Sequence, residues 1–241
     1  MSERSSKVVV FDLDETLGYF TEFSIFYGLV IRYAHVPHSY HQEVFNNLFD
    51  LYPEYLRPDI IDILKYLKRK KKDGECSKVF IYTNNQGPVS WCNMIKRYLE
   101  NKIKFKLFDR VVGAFKINGR VREICRRTNE KTTQDLIRCA ELPQDSHICF
   151  IDNVDYKKMS NVYYIKVNTY IYNLSLNCVV NRFLNNRIST RLVKNKKKFV
   201  EYANENLMMY PYEYSTKTED EYEMDLIVSK KLKMFLEEFF N

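Results

Sequence analysis

The chain has 241 residues, enough for one generous domain, or a domain with an appendage, built around a full hydrophobic core. Its 38 basic and 31 acidic side chains leave a formal charge of +7, which favours an anionic partner but suits general solubility equally well. No apolar run approaches membrane-spanning length, the start up to Lys7 is polar, and the six cysteines show no Cys-x-x-Cys pair, so the expectation is a reduced intracellular protein without signal peptide or anchor.

Val8, Val9, Val10 and Phe11 read as a buried strand, and the chain turns polar at once with Asp12, Asp14 and Thr16. Acids just past the carboxyl end of a hydrophobic strand sit where open α/β sheets bind ligands. Two crowded carboxylates suit a divalent cation and push each other's pKa values apart. An ionised Asp12 could then attack phosphorus while a protonated Asp14 serves the leaving group; the plain alternative is a capped turn after an ordinary strand.

Residues 19–56 read as a flap over the strand end, with a helix around 42–51. Its His35, His38 and His41 invite a zinc reading, but Pro37 breaks the helix that would align them and no cysteine is near, which favours solvated turn residues. Arg57-Pro58 opens a helix whose apolar face is Ile60, Ile61, Ile63, Leu64 and Leu67, and the basic run 68–72 complements its negative end.

A second strand over 78–82 ends in Thr83-Asn84-Asn85-Gln86-Gly87, and a helix follows over 88–101. Residues 108–112 supply a third strand, an arginine-rich connection fills 116–130, and a helix of about eleven residues begins at Lys131. The fourth strand, 147–151, ends in Asp152-Asn153-Val154-Asp155, and 162–167 is the fifth. Strands alternating with helices predict a Rossmann-like, doubly wound parallel α/β sheet. From about residue 181 the chain becomes a basic patch at Arg187, Arg191, Lys194 and 196–198, an acidic one at 219–225, and an apolar final helix. The expected division is a core over 1–180 and an appendage over 181–241 packed on it.

In chain order, Asp12/Asp14/Thr16, Thr83, Lys131 and Asp152/Asn153 resemble the four motifs of the haloacid dehalogenase-like phosphatases across about residues 7–170. Asp-Leu-Asp-Glu-Thr-Leu, Arg57-Pro58 about forty residues on, and Ile151-Asp152-Asn153 are closer still to the Fcp/Scp-type phosphatases of the RNA polymerase II C-terminal domain. That resemblance implies strand order 5-4-1-2-3 and a Mg²⁺-dependent phosphoserine/phosphothreonine protein phosphatase. Asp12 would be its nucleophile, Asp14 its acid and base, and Thr83 and Lys131 its phosphate partners. Thr16 and Asn84 would bind substrate, and Asp12, Asp14, Asp152 and Asn153 would hold the metal.

A lysine at a helix start opposes the dipole, which an anionic partner would explain; the other candidates for that charge are Lys116, Lys157 and Lys158. Val154-Asp155 stands where the family usually has Ser-Pro, which makes Asp155 a further candidate at the metal. Thr83-Asn84 also resembles polynucleotide 3′-phosphatases and small-metabolite phosphatases of the same superfamily, and a catalytically inactive binding scaffold is the rival of another class. Cysteine phosphatase chemistry is excluded, because no cysteine has an arginine six residues on.

Overall fold

The structure, a computed structural model, describes residues 6–207 and 216–241. Residues 1–5, most of the polar start, and 208–215, within the expected appendage, lie outside the described residues. The chain forms two compact units. One takes the described residues up to Gly18, Arg57–Tyr170 and Glu223–Asn241; the other takes Tyr19–Leu56 and Ile171–Tyr222.

The first unit is a five-stranded, all-parallel sheet flanked by helices. Continuous apolar runs make its strands β1 (Lys7–Phe11) and β2 (Lys78–Tyr82), buried on both faces as a parallel sheet requires. Between them α3 (Ile60–Lys72) provides the crossover, and α4 (Val89–Ile103) leads on to β3 (Arg110–Val112). A two-stranded hairpin of β4 (Lys116–Ile117) and β5 (Arg120–Val121) follows, then α5 (Thr133–Ala140), β6 (His147–Asp152) and β7 (Tyr163–Lys166).

The sheet runs β3-β2-β1-β6-β7. Numbering only these strands in chain order gives 5-4-1-2-3 when read from the β7 edge. β1 and β6 are neighbours, with Phe11 opposite Ile151, so their polar ends emerge side by side where the strand order reverses. Val8, Val10, Phe80, Tyr82 and Phe150 form one apolar face with Leu136 and Cys139 of α5.

The second unit packs α1 (Thr21–Tyr33) and α2 (His41–Phe49) with α6 (Leu176–Leu184), α7 (Arg187–Leu192) and α8 (Lys196–Leu207). Phe23 meets Phe49 edge-on at 4.5 Å, and the two halves of the unit are tied by Tyr52 Oη donating to the Val179 carbonyl at 2.7 Å. Arg182 joins them again through Glu54 at 2.8 Å. The expected appendage over 181–241 is therefore divided: its helices up to α8 group with 19–56, whereas α9 (Glu219–Phe240) belongs from Glu223 onward to the sheet unit. There α9 buries Leu232, Leu236 and Phe240, with the Lys7 ammonium over the Phe240 ring.

Three local expectations change. α3 starts at Ile60, because Asp59 adopts a left-handed φ of 58° and puts Arg57-Pro58 in the preceding turn. α5 is eight residues long and is capped by Thr132, whose hydroxyl accepts from Asp135 N–H at 3.0 Å, so Lys131 stands just ahead of the cap. Cys125 and Cys139 form a disulfide, which corrects the expectation of a wholly reduced chain; their separation of 14 residues carries no motif that would announce the pairing.

Candidate active site

Every residue of the site lies in the sheet unit, on loops that leave the carboxyl ends of parallel strands. Asp12 follows β1, Thr83 follows β2, and Asp152 ends β6. Asp12 N–H donates to the Ile151 carbonyl at 2.8 Å, which locks the first acid to the strand bearing the second. Lys131 Nζ reaches both, bonding Asp12 Oδ1 and, at 2.7 Å, Asp152 Oδ2.

The Lys131 side chain is 1% exposed and that of Asp152 0%. Burial pulls the lysine's pKa down, but the carboxylates of Asp12 and Asp152 outweigh it and hold the pKa above its ordinary value. Lys131 is therefore an ammonium, with the rings of Tyr82, Phe150 and Tyr156 around it at 5.3–5.7 Å. The other candidates for this charge are placed differently: Lys158 pairs with Glu130 at 2.9 Å, and Lys116 and Lys157 are exposed.

Asp14 lies two residues beyond Asp12, across a turn in which Glu15 has φ 62° and donates its N–H to the Gly18 carbonyl at 2.7 Å. Burial raises the Asp14 carboxyl to about 6; Asn85 works against that shift and the Asp12 charge adds to it. Arg57 clamps the turn from below, its guanidinium donating to the carbonyls of Thr16 at 2.6 Å, Glu15 at 2.8 Å and Asn168 at 2.6 Å.

Thr16 is fully buried, and its hydroxyl donates to Asn153 Oδ1 at 3.1 Å and accepts from Asn153 N–H at 3.2 Å, so it braces the two acidic loops together. The Asn153 amide is spent on the same brace, donating to Glu15 at 3.1 Å and Thr169 at 3.3 Å. Asp155 is exposed.

Thr83 is 1% exposed, and its hydroxyl accepts from Asn85 N–H at 3.0 Å, which leaves its own proton to donate. Asn84 donates to Tyr156 Oη at 3.2 Å, and its buried Oδ1 has no hydrogen-bond partner. Asn85 was not singled out from the sequence. Its Oδ1 accepts from Gly87 N–H at 2.8 Å, an Asx turn that aims Nδ2 at Asp14 Oδ2, 2.9 Å away. An Asn two residues before Gly was the available signal. We expect Asn85→Ala to lower stability by about 1–2 kcal/mol in urea melts, because it deletes the turn and the Asp14 bond together.

Arg126 was also missed. It is 1% exposed, stacks on Tyr82 at 4.7 Å, and donates to the carbonyls of Thr83, Gly113, Asn129 and Glu130. Its partners are backbone atoms, which no side-chain pattern reveals.

Asp12 and Asp152 offer carboxylate oxygens, the hard donors a divalent cation prefers, and both are bonded here to the Lys131 ammonium. The Asp14 carboxylate is turned instead to Asn85. Among the described residues, the three-ligand group within 4.8 Å is Glu123, Cys125 and Cys139, where the disulfide removes both thiolates. No family model, no curated protein and no solved structure matches this chain.

Proposed function

We propose that the chain is a phosphomonoester hydrolase working through an aspartyl-phosphate on Asp12, of the haloacid dehalogenase-like kind and nearest in motif to the C-terminal-domain serine/threonine phosphatases. One observation carries this reading: two acids from adjacent strand ends share a buried ammonium, while a third carboxyl two residues from the first has its pKa raised to about 6. The sheet order, with β1 and β6 side by side, supports the superfamily.

In the first half of the reaction Asp12 attacks phosphorus and the bond from phosphorus to the seryl or threonyl oxygen breaks. Asp14 gives its proton to that oxygen. In the second half Asp14 takes a proton from water, the hydroxide attacks the aspartyl-phosphate, and Asp12 and inorganic phosphate are released. Lys131 neutralises charge on the nucleophile and the phosphoryl oxygens, and Thr83 donates a hydrogen bond to one of them. A bound Mg²⁺, held by Asp12, Asp152 and the Asp14 carbonyl, would supply further charge neutralisation at the phosphoryl group.

A nucleic-acid 3′-phosphatase draws less support. Three of the five cations of the basic run in α3 are engaged within the fold, Lys68 by the Ile103 carbonyl, Lys70 by Glu75 and Lys71 by Asp109, while Arg69 and Lys72 are exposed. The intact Asp12 and Asp14 argue against an inactive scaffold. We expect hydrolysis of an aryl phosphate that requires Mg²⁺, and its loss in Asp12→Asn. Full activity in that variant would refute the nucleophile.

A further inference from the structure

The loop between β3 and Lys131 carries more charge than folding needs. Over residues 116–127 it holds Lys116, Arg120, Arg122, Arg126 and Arg127 against the single acid Glu123. Arg126 is buried, and Glu123 is taken by Arg110 at 2.9 Å. The remaining four cations are exposed, and none of them has a carboxylate partner among the described residues. Beside them Val121 is 49% and Ile124 87% exposed.

This arm is held firmly at its base. β4 and β5 pair with each other, Arg122 N–H donates to the Phe115 carbonyl at 2.8 Å, Arg126 makes its four carbonyl bonds, and Cys125 is joined to α5. The anchoring also ties it to the site, since Arg126 bonds the carbonyl of Thr83 at 3.2 Å.

The arm springs from the carboxyl end of β3, the same sheet edge as Asp12 and two strands away through β2. Two strand spacings are ~10 Å, about three residues of extended peptide. We propose that the 116–127 arm grips acidic residues flanking the phosphorylated residue, so that the preferred substrate is a peptide with aspartate or glutamate about three or more positions from its phosphoserine. This rests on the hydrolase reading above. Three of the four exposed cations are arginines, whose fork suits carboxylates, and the exposed aliphatic Val121 and Ile124 suit peptide side chains. A single-stranded nucleic acid would call for aromatic platforms, and the exposed part of the arm has none.

The test compares the full chain with its triple variant Arg120→Ser/Arg122→Ser/Arg127→Ser, all surface changes. Fluorescence anisotropy measures binding of a labelled phosphoserine peptide with acidic flanks, the same peptide with neutral flanks, and a 3′-phosphorylated oligonucleotide, while an aryl phosphate reports turnover. We expect the triple variant to bind the acidic peptide at least about tenfold more weakly and to hydrolyse the aryl phosphate at the wild-type rate. Equal binding of acidic and neutral peptides by the wild type, no loss in the variant, or a preference for the oligonucleotide would each overturn the arm's role. Absent aryl phosphate turnover in the wild type would refute the hydrolase reading instead, and the binding measurements stand apart from it.

Discussion

Lys131→Met is expected to destabilise the metal-free protein by roughly 3–5 kcal/mol at neutral pH, the range for removing one partner of a buried ionic group. The ammonium is the shared counter-charge of Asp12 and Asp152, and a methionine of similar length would fill its place among Tyr82, Phe150 and Tyr156 without supplying a charge. What remains is two buried carboxylates facing each other, so the loss comes from electrostatics and not from a cavity.

This origin fixes the pH dependence. Burial already lifts the Asp152 carboxyl to about 6, and without the lysine its charge is costly only while it is ionised, so the deficit should shrink as the pH falls towards 4 and Asp152 takes up a proton. Urea melts in EDTA at pH 7.5 and 4.5 measure both ends. Lys131→Met/Asp152→Asn should recover part of the neutral-pH stability, and neither variant should recover activity, since losing such a cation costs ~3–4 kcal/mol of transition-state stabilisation. A deficit of equal size at both pH values would mean that Lys131 serves packing alone.

The parts of this cluster were legible in the sequence to different degrees. β1, β2 and β6 announce themselves as continuous apolar runs that end abruptly in Asp12, Thr83 and Asp152, and a parallel sheet brings such ends to one edge whatever the intervening loops do. Lys131 was found for a partly mistaken reason. It precedes the Thr132 cap and does not start the helix, and its anionic partners are the two acids themselves.

Arg57 stands out in the sequence beside Pro58, but its clamp on the turn, like Arg126 as a whole, stayed hidden because both satisfy carbonyls, and a carbonyl belongs to every residue. The second unit was hidden for a different reason. Its joining bond, from Tyr52 to Val179, spans 127 residues, and an aromatic-rich stretch such as 19–56 shows that it must be covered without showing by what. The bond from Thr16 to Asn153 was not legible either, because spacing does not show which way a hydroxyl turns.

Asp14→Asn should separate the cost of the site from its chemistry. Burial raises the folded-state pKa of Asp14 from 3.8 to about 6, so the acid form is the one the fold prefers. The contribution to stability is complete below about pH 4, where the group is protonated whether folded or not, and is lost as the pH rises through about 6. At pH 7.5 the deficit approaches 2–3 kcal/mol, roughly 1.4 kcal/mol for each tenfold change in acidity. An amide in its place carries no charge and keeps an oxygen for Asn85 Nδ2 to donate to. The variant should therefore be more stable than the wild type by about 2–3 kcal/mol at pH 7.5 in EDTA, and equal to it near pH 4.

Activity should move the other way, and by an amount set by the leaving group. In the proposed mechanism a seryl oxygen needs the proton that Asp14 would supply, whereas a nitrophenolate leaves without one. Turnover of a phosphoserine peptide should fall by ~10²–10⁴, and release of nitrophenol in the first turnover by far less. For the wild type, kcat/KM on the peptide should decline as the pH rises past about 6, where Asp14 loses its proton, and the decline should flatten for the aryl ester. Equal losses on both substrates in Asp14→Asn would remove the acid from the mechanism and leave Asp14 as a carbonyl ligand that happens to be buried.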